Sequence, residues 1–174
     1  MERHFRKMCN SNIDDFSKSQ SGFTVLEIMV VLAMIVIMAS IAMPRITNII
    51  PRYHLKEAAR TFYMDLRQAR SSAIKEGSPC IIEFITGGYR IFIDKNQNNT
   101  LDGSDSLIKQ VQWSNYSDVQ VSNNTFGTCL RFGSDGLPRN CSGGFGAGAI
   151  TLNSTSSGAS LSVSMSMAGS IRIQ

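Results

Sequence analysis

From Phe23 to Met43 the chain runs 21 residues with one charged side chain, Glu27. That length predicts a helix long enough to cross a bilayer at about 1.5 Å per residue. Beyond Pro44 the sequence turns polar but keeps a helical period. Leu55, Ala59, Phe62, Leu66, Ala69 and Ala73 recur at steps of four and three and define one apolar stripe. The other faces carry Arg52, Lys56, Arg60, Asp65, Arg67, Arg70 and Lys75, and Gly77-Ser78-Pro79 is a strong stop. The stripe predicts core packing, and the basic faces predict solvation, with contact to neighbouring subunits or lipid headgroups as the alternative. Phe23 to Glu76 would form a helix of about 80 Å, continuous or bent at Pro44 and Pro51.

After Gly77 the period changes to two. "CIIEFI" and "YRIFID", separated by Thr86-Gly87-Gly88, predict a β-hairpin. Leu161, Val163, Met165 and Met167 alternate with Ser160, Ser162, Ser164 and Ser166, which predicts a strand with one apolar and one hydroxyl face. Further strands are expected at Ile108 to Trp113, Asp118 to Val121, Thr128 to Phe132, Gly148 to Leu152 and Ile171 to Ile173. The class is therefore α+β: a long N-terminal helix, half transmembrane and half amphipathic, packed on an antiparallel β-sheet head of one or two sheets.

The segment before the apolar run carries Arg3, Arg6, Lys7 and Lys18. Basic residues beside a span stay on the cytoplasmic side, so the N-terminus is expected inside and the head outside. A cleaved secretory signal is disfavoured, because its apolar region is roughly 7 to 15 residues and ends at a small-x-small site. Here the run is longer, and "MASIAMP" imitates such a site only faintly.

Composition adds little. The 17 Lys and Arg against 13 Asp and Glu give +4, too mild to argue for a nucleic-acid partner. The cysteines Cys9, Cys80, Cys129 and Cys141 show no Cys-x-x-Cys or Cys/His metal spacing. Phosphate-loop and nucleophile-elbow motifs are lacking, and beyond the N-terminal segment His54 is the only histidine, so an enzyme is not expected.

Glu27 is the anomaly. An acid at the bilayer centre costs about 2.5–3.5 kcal/mol on insertion scales, so such residues are usually paired or functional. Near the cytoplasmic end a snorkelling acid is the plainer alternative. Its surroundings, Gly22-Phe23-Thr24-Val25-Leu26-Glu27, closely resemble the type IV prepilin signature. The resemblance implies that a membrane peptidase cuts on the cytoplasmic side between Gly22 and Phe23 and methylates the new amine of Phe23. Cutting before the apolar run leaves the whole span in the mature protein. In a filament, the α-amine of a neighbouring subunit could neutralise Glu27, a pairing stronger in low dielectric than in water. At 22 residues the leader is longer than is usual in that family, and it carries Asp14 and Asp15, with Met8 as an alternative start.

The head adds a second resemblance. "DLRQARSSAIKEG", "GYRIFIDKNQNNTLDGSD", "LRFGSDGLPR" and the closing "GSIRIQ" are similar to the FimT/GspH family of minor pilins and type II secretion pseudopilins. The divisions implied are a cleaved leader at 1–22, a transmembrane and filament-core helix at 23–43, an amphipathic stem at 44–76 and a periplasmic head at 77–174. The partners implied are prepilin peptidase, other pilin or pseudopilin subunits and the inner-membrane assembly machinery. The location implied is the bacterial inner membrane, and then a pilus or pseudopilus. A single-pass anchored periplasmic domain that never assembles is the alternative.

Three further sites are candidates. Counted from Asp94, positions one, three, five, seven, nine and twelve of a calcium loop fall on Asp94, Asn96, Asn98, Thr100, Asp102 and Asp105, all oxygen ligands. Asn99 stands where that loop favours Gly, and Asp105 where it favours Glu. Calcium is therefore a candidate cofactor, no cofactor is required, and a plain polar loop is the stronger reading. Cys129 and Cys141 lie in the part expected outside the cytoplasm, where disulfides persist, and their pairing is expected, with Cys80 a buried thiol or an alternative partner. Finally, some FimT-like pilins take up DNA through basic residues near the C-terminus. Here Arg172 matches that region, and Arg131 and Arg139 would have to share its face to form a phosphate-binding stripe.

Overall fold

The computed structural model describes residues 22–174, with only the helical backbone at 42–48. Most of the predicted leader, including Cys9 and Met8, lies outside the described residues, as do the side chains of Met43 and Pro44.

Helix α1 covers Val25–Glu76 and is uninterrupted across Pro44 and Pro51. Thr24 caps it: its Oγ1 accepts the backbone N–H of Glu27 at 3.1 Å, satisfying one of the donors that a helix start leaves free. Gly77 ends it with φ +62°, the left-handed conformation that suits glycine after a last helical turn. The described chain divides into two units, the segment up to Ile41 and residues 42–174. In the first, the described apolar side chains are all exposed, Val25, Leu26 and Met38 by 70% or more. Among the described residues no helix is long and apolar enough to cross a membrane. The described side chains of that segment stop at Ile41, short of the predicted end at Met43.

The second unit holds the stem half of α1 and nine strands: β1 Cys80–Ile85, β2 Gly88–Ile93, β3 Ser106–Gln112, β4 Val119–Asn124, β5 Cys129–Phe132, β6 Pro138–Asn140, β7 Gly148–Ser154, β8 Ser160–Met165 and β9 Ile171–Ile173. They form two antiparallel sheets, ordered β3-β2-β1-β5-β6 and β4-β7-β8-β9. The predicted stripe is the core of this unit. Leu55, Ala59, Phe62, Leu66, Ala69 and Ala73 are all 2% exposed or less, and they pack with Ile82, Ile91, Leu130 and Phe132 of the first sheet and Ile150, Leu152 and Val163 of the second. Phe62 is the hub, with the rings of Tyr89, Phe84, Trp113 and Phe126 at 5.1, 6.1, 6.1 and 6.4 Å. Offset and edge-on pairs of this kind each add about 0.5–1.5 kcal/mol beyond area burial.

The hairpin turn is shorter than the glycine pair implied. Thr86 and Gly87 form it, whereas Gly88 already belongs to β2, where a Cβ would sit 2.1 Å from the Val111 carbonyl. Alternation along the first sheet gives it a second buried face, where Ile81, Phe92 and Cys129 lie under Leu101 and Cys141. In β8 the apolar face is Val163 and Met165, while Met167 falls beyond the strand and is 58% exposed.

One expectation of the helical wheel is overturned. Asp65, placed off the apolar stripe among the charged positions, is 3% exposed. Its carboxylate is turned into the head, where the hydroxyl of Tyr89 donates to Oδ2 at 2.6 Å and Lys109 Nζ to both oxygens at 2.8 and 2.9 Å. A buried charge is tolerable when it is paired and hydrogen-bonded, and these two partners supply that.

Candidate functional sites and the family

At the N-terminal end, Thr24 and Glu27 stand at N-cap and N3 of α1, the spacing of a capping box. A carboxylate at N3 also lies beside the positive end of the helix dipole. The signature Thr-x-x-Glu thus starts the helix two residues after Phe23. The peptide bond between Gly22 and Phe23, where the signature resemblance places the cut, lies just outside helical structure, and Phe23 is 78% exposed. A protease needs its substrate extended, and this geometry leaves the peptide bond free of helical hydrogen bonds.

The Asp94–Asp105 segment is a self-contained polar loop. Asp94, fully buried, accepts the backbone N–H of Asn98 and Asn99 at 3.1 and 3.0 Å. Asp105 accepts those of Lys95 and Asp102, each at 3.0 Å. Asp102 accepts from the side-chain amides of Asn96 and Asn98 at 2.7 Å and from the Ser104 hydroxyl at 2.6 Å. The Ser104 hydroxyl and N–H and those two amides hold the Asp102 carboxyl well below the usual carboxylate range. Asn98 Oδ1 in turn accepts from the backbone N–H and hydroxyl of Thr100, each at 2.8 Å. Asn99 adopts φ +61°, the conformation for which a calcium loop uses glycine, and one asparagine tolerates well. Among the described residues, no group of three or more His, Cys, Asp or Glu could hold a metal ion. The side-chain oxygens of Asp94, Asn96, Asn98, Asp102 and Asp105 each accept from the loop's own donors, and Thr100 hydrogen-bonds through its N–H and hydroxyl to Asn98.

Cys129 and Cys141 are joined by a disulfide, with Cα atoms 5.9 Å apart. It ties β5 to the chain leaving β6 on the face of the first sheet opposite the stem. Cys80 is a free, buried thiol whose pKa is pushed up to about 12 by burial, which keeps it unreactive.

The arginines divide between the sheets. Arg131 and Arg139 are cross-strand neighbours in β5 and β6, but Arg139 is bound to Asp135 by two bonds of 3.0 and 2.6 Å. Arg172 is in β9 of the other sheet. The three do not form one stripe on one sheet. His54 is committed to structure, with Nδ1–H donating to the Ser117 carbonyl at 3.2 Å.

Asp118 was not singled out by sequence. It adopts φ +71° and accepts from Ser154 Oγ at 2.6 Å, from the Thr155 hydroxyl and from Ser156 N–H at 3.0 Å. The hydroxyls of Ser154 and Thr155 hold its carboxyl below the usual range. It fastens the entry of β4 to the β7–β8 turn. Sequence periodicity places Asp118 as the first residue of a strand, whereas β4 begins at Val119, so its clamping role leaves no local signal.

A capped N-terminal helix whose second half forms the core of a two-sheet antiparallel head defines a pilin-like protein. The chain belongs to the GspH family of type II transport proteins, whose family model matches residues 58–169. The prokaryotic N-terminal methylation motif matches residues 17–43. Two fimbrial proteins of Pseudomonas aeruginosa are each 32% identical over 111 residues. That match covers 64% of this chain and 65% of theirs, so the chain spans slightly under two thirds of these curated relatives. The fold is similar to that of the minor pseudopilin EpsH from the type 2 secretion system of Vibrio cholerae, with a TM-score of 0.51 at 15% identity, covering 70% of this chain and 96% of that one.

Proposed function

We infer that the chain is a pilin or pseudopilin subunit that is made as a membrane-inserted precursor and built into a filament. Prepilin peptidase cuts between Gly22 and Phe23 and methylates Phe23, removing the basic leader at 1–22. The helix at 23–43 holds the subunit in the inner membrane, cytoplasmic end first, and later forms the filament core. The stem at 44–76 carries the head at 77–174 in the periplasm. The role is structural, not enzymatic.

The observation that carries this reading is the conjunction of the methylation motif over 17–43 with a GspH head over 58–169 in one chain. Glu27 then has two tasks. In the subunit it supports the start of the helix. In the filament it pairs with the methylated amine of a neighbour, because an unpaired carboxylate in that low-dielectric core is costly.

The test is the intact mass of the protein from native membranes beside a Gly22→Ala variant. Loss of the 22-residue leader with gain of one methyl group, abolished by the variant, is the expected result. An unprocessed wild-type mass would leave a single-pass anchored protein instead. If processing holds, Glu27→Ala is expected to be cut normally yet fail to enter sheared filaments.

A further inference from the structure

We propose that the groove between the stem helix and β9 docks an extended, acidic segment of another protein chain, which adds to the head as a strand. The groove has a volume of about 300 Å³, and Tyr63, Arg67, Arg70, Ser71, Ile74 and Ile171 line it. One wall is the edge strand of the second sheet. β9 is the last strand of its sheet, and Ser162 and Gln174 exchange both backbone hydrogen bonds at 2.9 and 2.8 Å. Arg172 opposes Ser164, two residues along each strand. By antiparallel alternation, Arg172 and Gln174 therefore face β8, and Ile171 and Ile173 turn their N–H and C=O groups outward. An edge of this kind is a template for a further strand, with main-chain bonds supplying affinity and side-chain pockets supplying specificity.

The other wall sets the charge. Arg67 lies over the Tyr63 ring, 5.8 Å from its centroid, and Arg70 donates to the Gly169 carbonyl at 3.1 Å. The ion pairs among the described residues are Arg90 with Glu83, Lys109 with Asp65 and Arg139 with Asp135. Neither groove arginine takes part in one, and no acidic residue lines the groove. Gly169 keeps this end open to Arg70, since at φ +79° a Cβ would meet the guanidinium at 3.1 Å. Two unneutralised guanidinium groups favour carboxylates. Ile74, Ile171 and the Tyr63 ring favour alternate apolar side chains. A nucleic-acid backbone would use the cations but leave the outward amides of Ile171 and Ile173 and the apolar wall unused.

The inference concerns the head surface and is separate from processing and assembly. The probe is a labelled hexapeptide alternating valine and glutamate, titrated by fluorescence anisotropy onto the full chain in detergent micelles. Arg67→Glu reverses an exposed charge. Ile173→Pro removes one outward N–H while leaving the bonds to β8, a change that an edge strand accepts. Saturable binding is expected, with affinity falling about tenfold or more in each variant, and with no binding of the valine–lysine peptide. The melting temperature of each variant, within a few degrees of wild type, shows that the head is folded. Three results would overturn the proposal: no saturable binding of the acidic peptide, binding unchanged in Ile173→Pro, or binding of duplex DNA but not of the peptide.

Discussion

The hydroxyl of Tyr89, on the second strand, donates to the carboxylate of Asp65, on the stem helix, at 2.6 Å, and Lys109 closes the same carboxylate from the third strand. These residues lie 24 and 44 positions from Asp65 in the chain. The cluster sets how the stem lies along the first sheet, because a shift of the helix by one turn would strand a buried carboxylate without donors.

Tyr89→Phe is expected to cost about 1.5–3 kcal/mol, the range for a hydrogen bond to a charged group. Lys109→Met is expected to cost about as much. The lysine side chain is 38% exposed, so solvent screening lowers its share below that of a fully buried pair. Urea denaturation checks both, and the double variant should cost less than the sum because the two donors share one acceptor.

Burial and the bond to Asp65 raise the Tyr89 phenol well above its ordinary value. A raised folded pKa contributes stability that is intact below the unfolded value of about 10 and is lost as pH rises above it. Alkaline titration is expected to show one tyrosine that ionises only as the head unfolds, read together by tyrosinate absorbance and circular dichroism. Tyr89→Phe should remove that coupled step.

At the acid end the sign is opposite. The carboxyls of Asp102, Asp118 and Asp135 are depressed by hydroxyl, amide and Arg139 donors. Their contribution is complete above the unfolded carboxylate value of about 4 and falls away as pH drops through the folded values. Asp118→Ala is expected to remove part of the acid sensitivity and to speed amide exchange in the β7–β8 turn, with β1 and β2 unaffected.

Breaking the Cys129–Cys141 bridge opens a loop with a sequence separation of 12. The pair Cys129→Ser and Cys141→Ser should cost about 2–3 kcal/mol on the chain-entropy estimate. Thermal melting with and without reductant is the measurement, and reductant should leave the double variant unchanged.

Chelation should not matter. Because the loop's own donors hold each carboxylate of the Asp94–Asp105 loop, EDTA and millimolar calcium are each expected to leave the melting temperature unchanged. Asp94→Ala should lower it in either condition by about 1–3 kcal/mol equivalent, through the orphaned N–H groups of Asn98 and Asn99. A calcium-dependent rise in wild type that Asp94→Ala abolishes would reverse this assignment.

Phe62→Ala removes the ring on which four other aromatics converge, and is expected to cost about 3–5 kcal/mol. Circular dichroism melting should show it among the most damaging single changes in the stem.

Much of the molecule follows from local pattern. The apolar run, the stripe from Leu55 to Ala73, the glycine stop and the Thr24-to-Glu27 spacing each report on neighbours within a turn or two, and such spacing survives whatever the rest of the chain does. Strands with clear alternation were legible for the same reason. β6 was not, because Pro138–Asn140 is too short to show a period and is held as a strand by its pairing with β5. The division of nine strands into two sheets, the burial of Asp65 against Tyr89 and Lys109, the clamp at Asp118, the separation of Arg172 from Arg131, and the groove between Arg70 and β9 were decided only by tertiary structure. Each depends on which distant segments the topology brings together, and a sequence records the chemistry of each partner but not the contact between them.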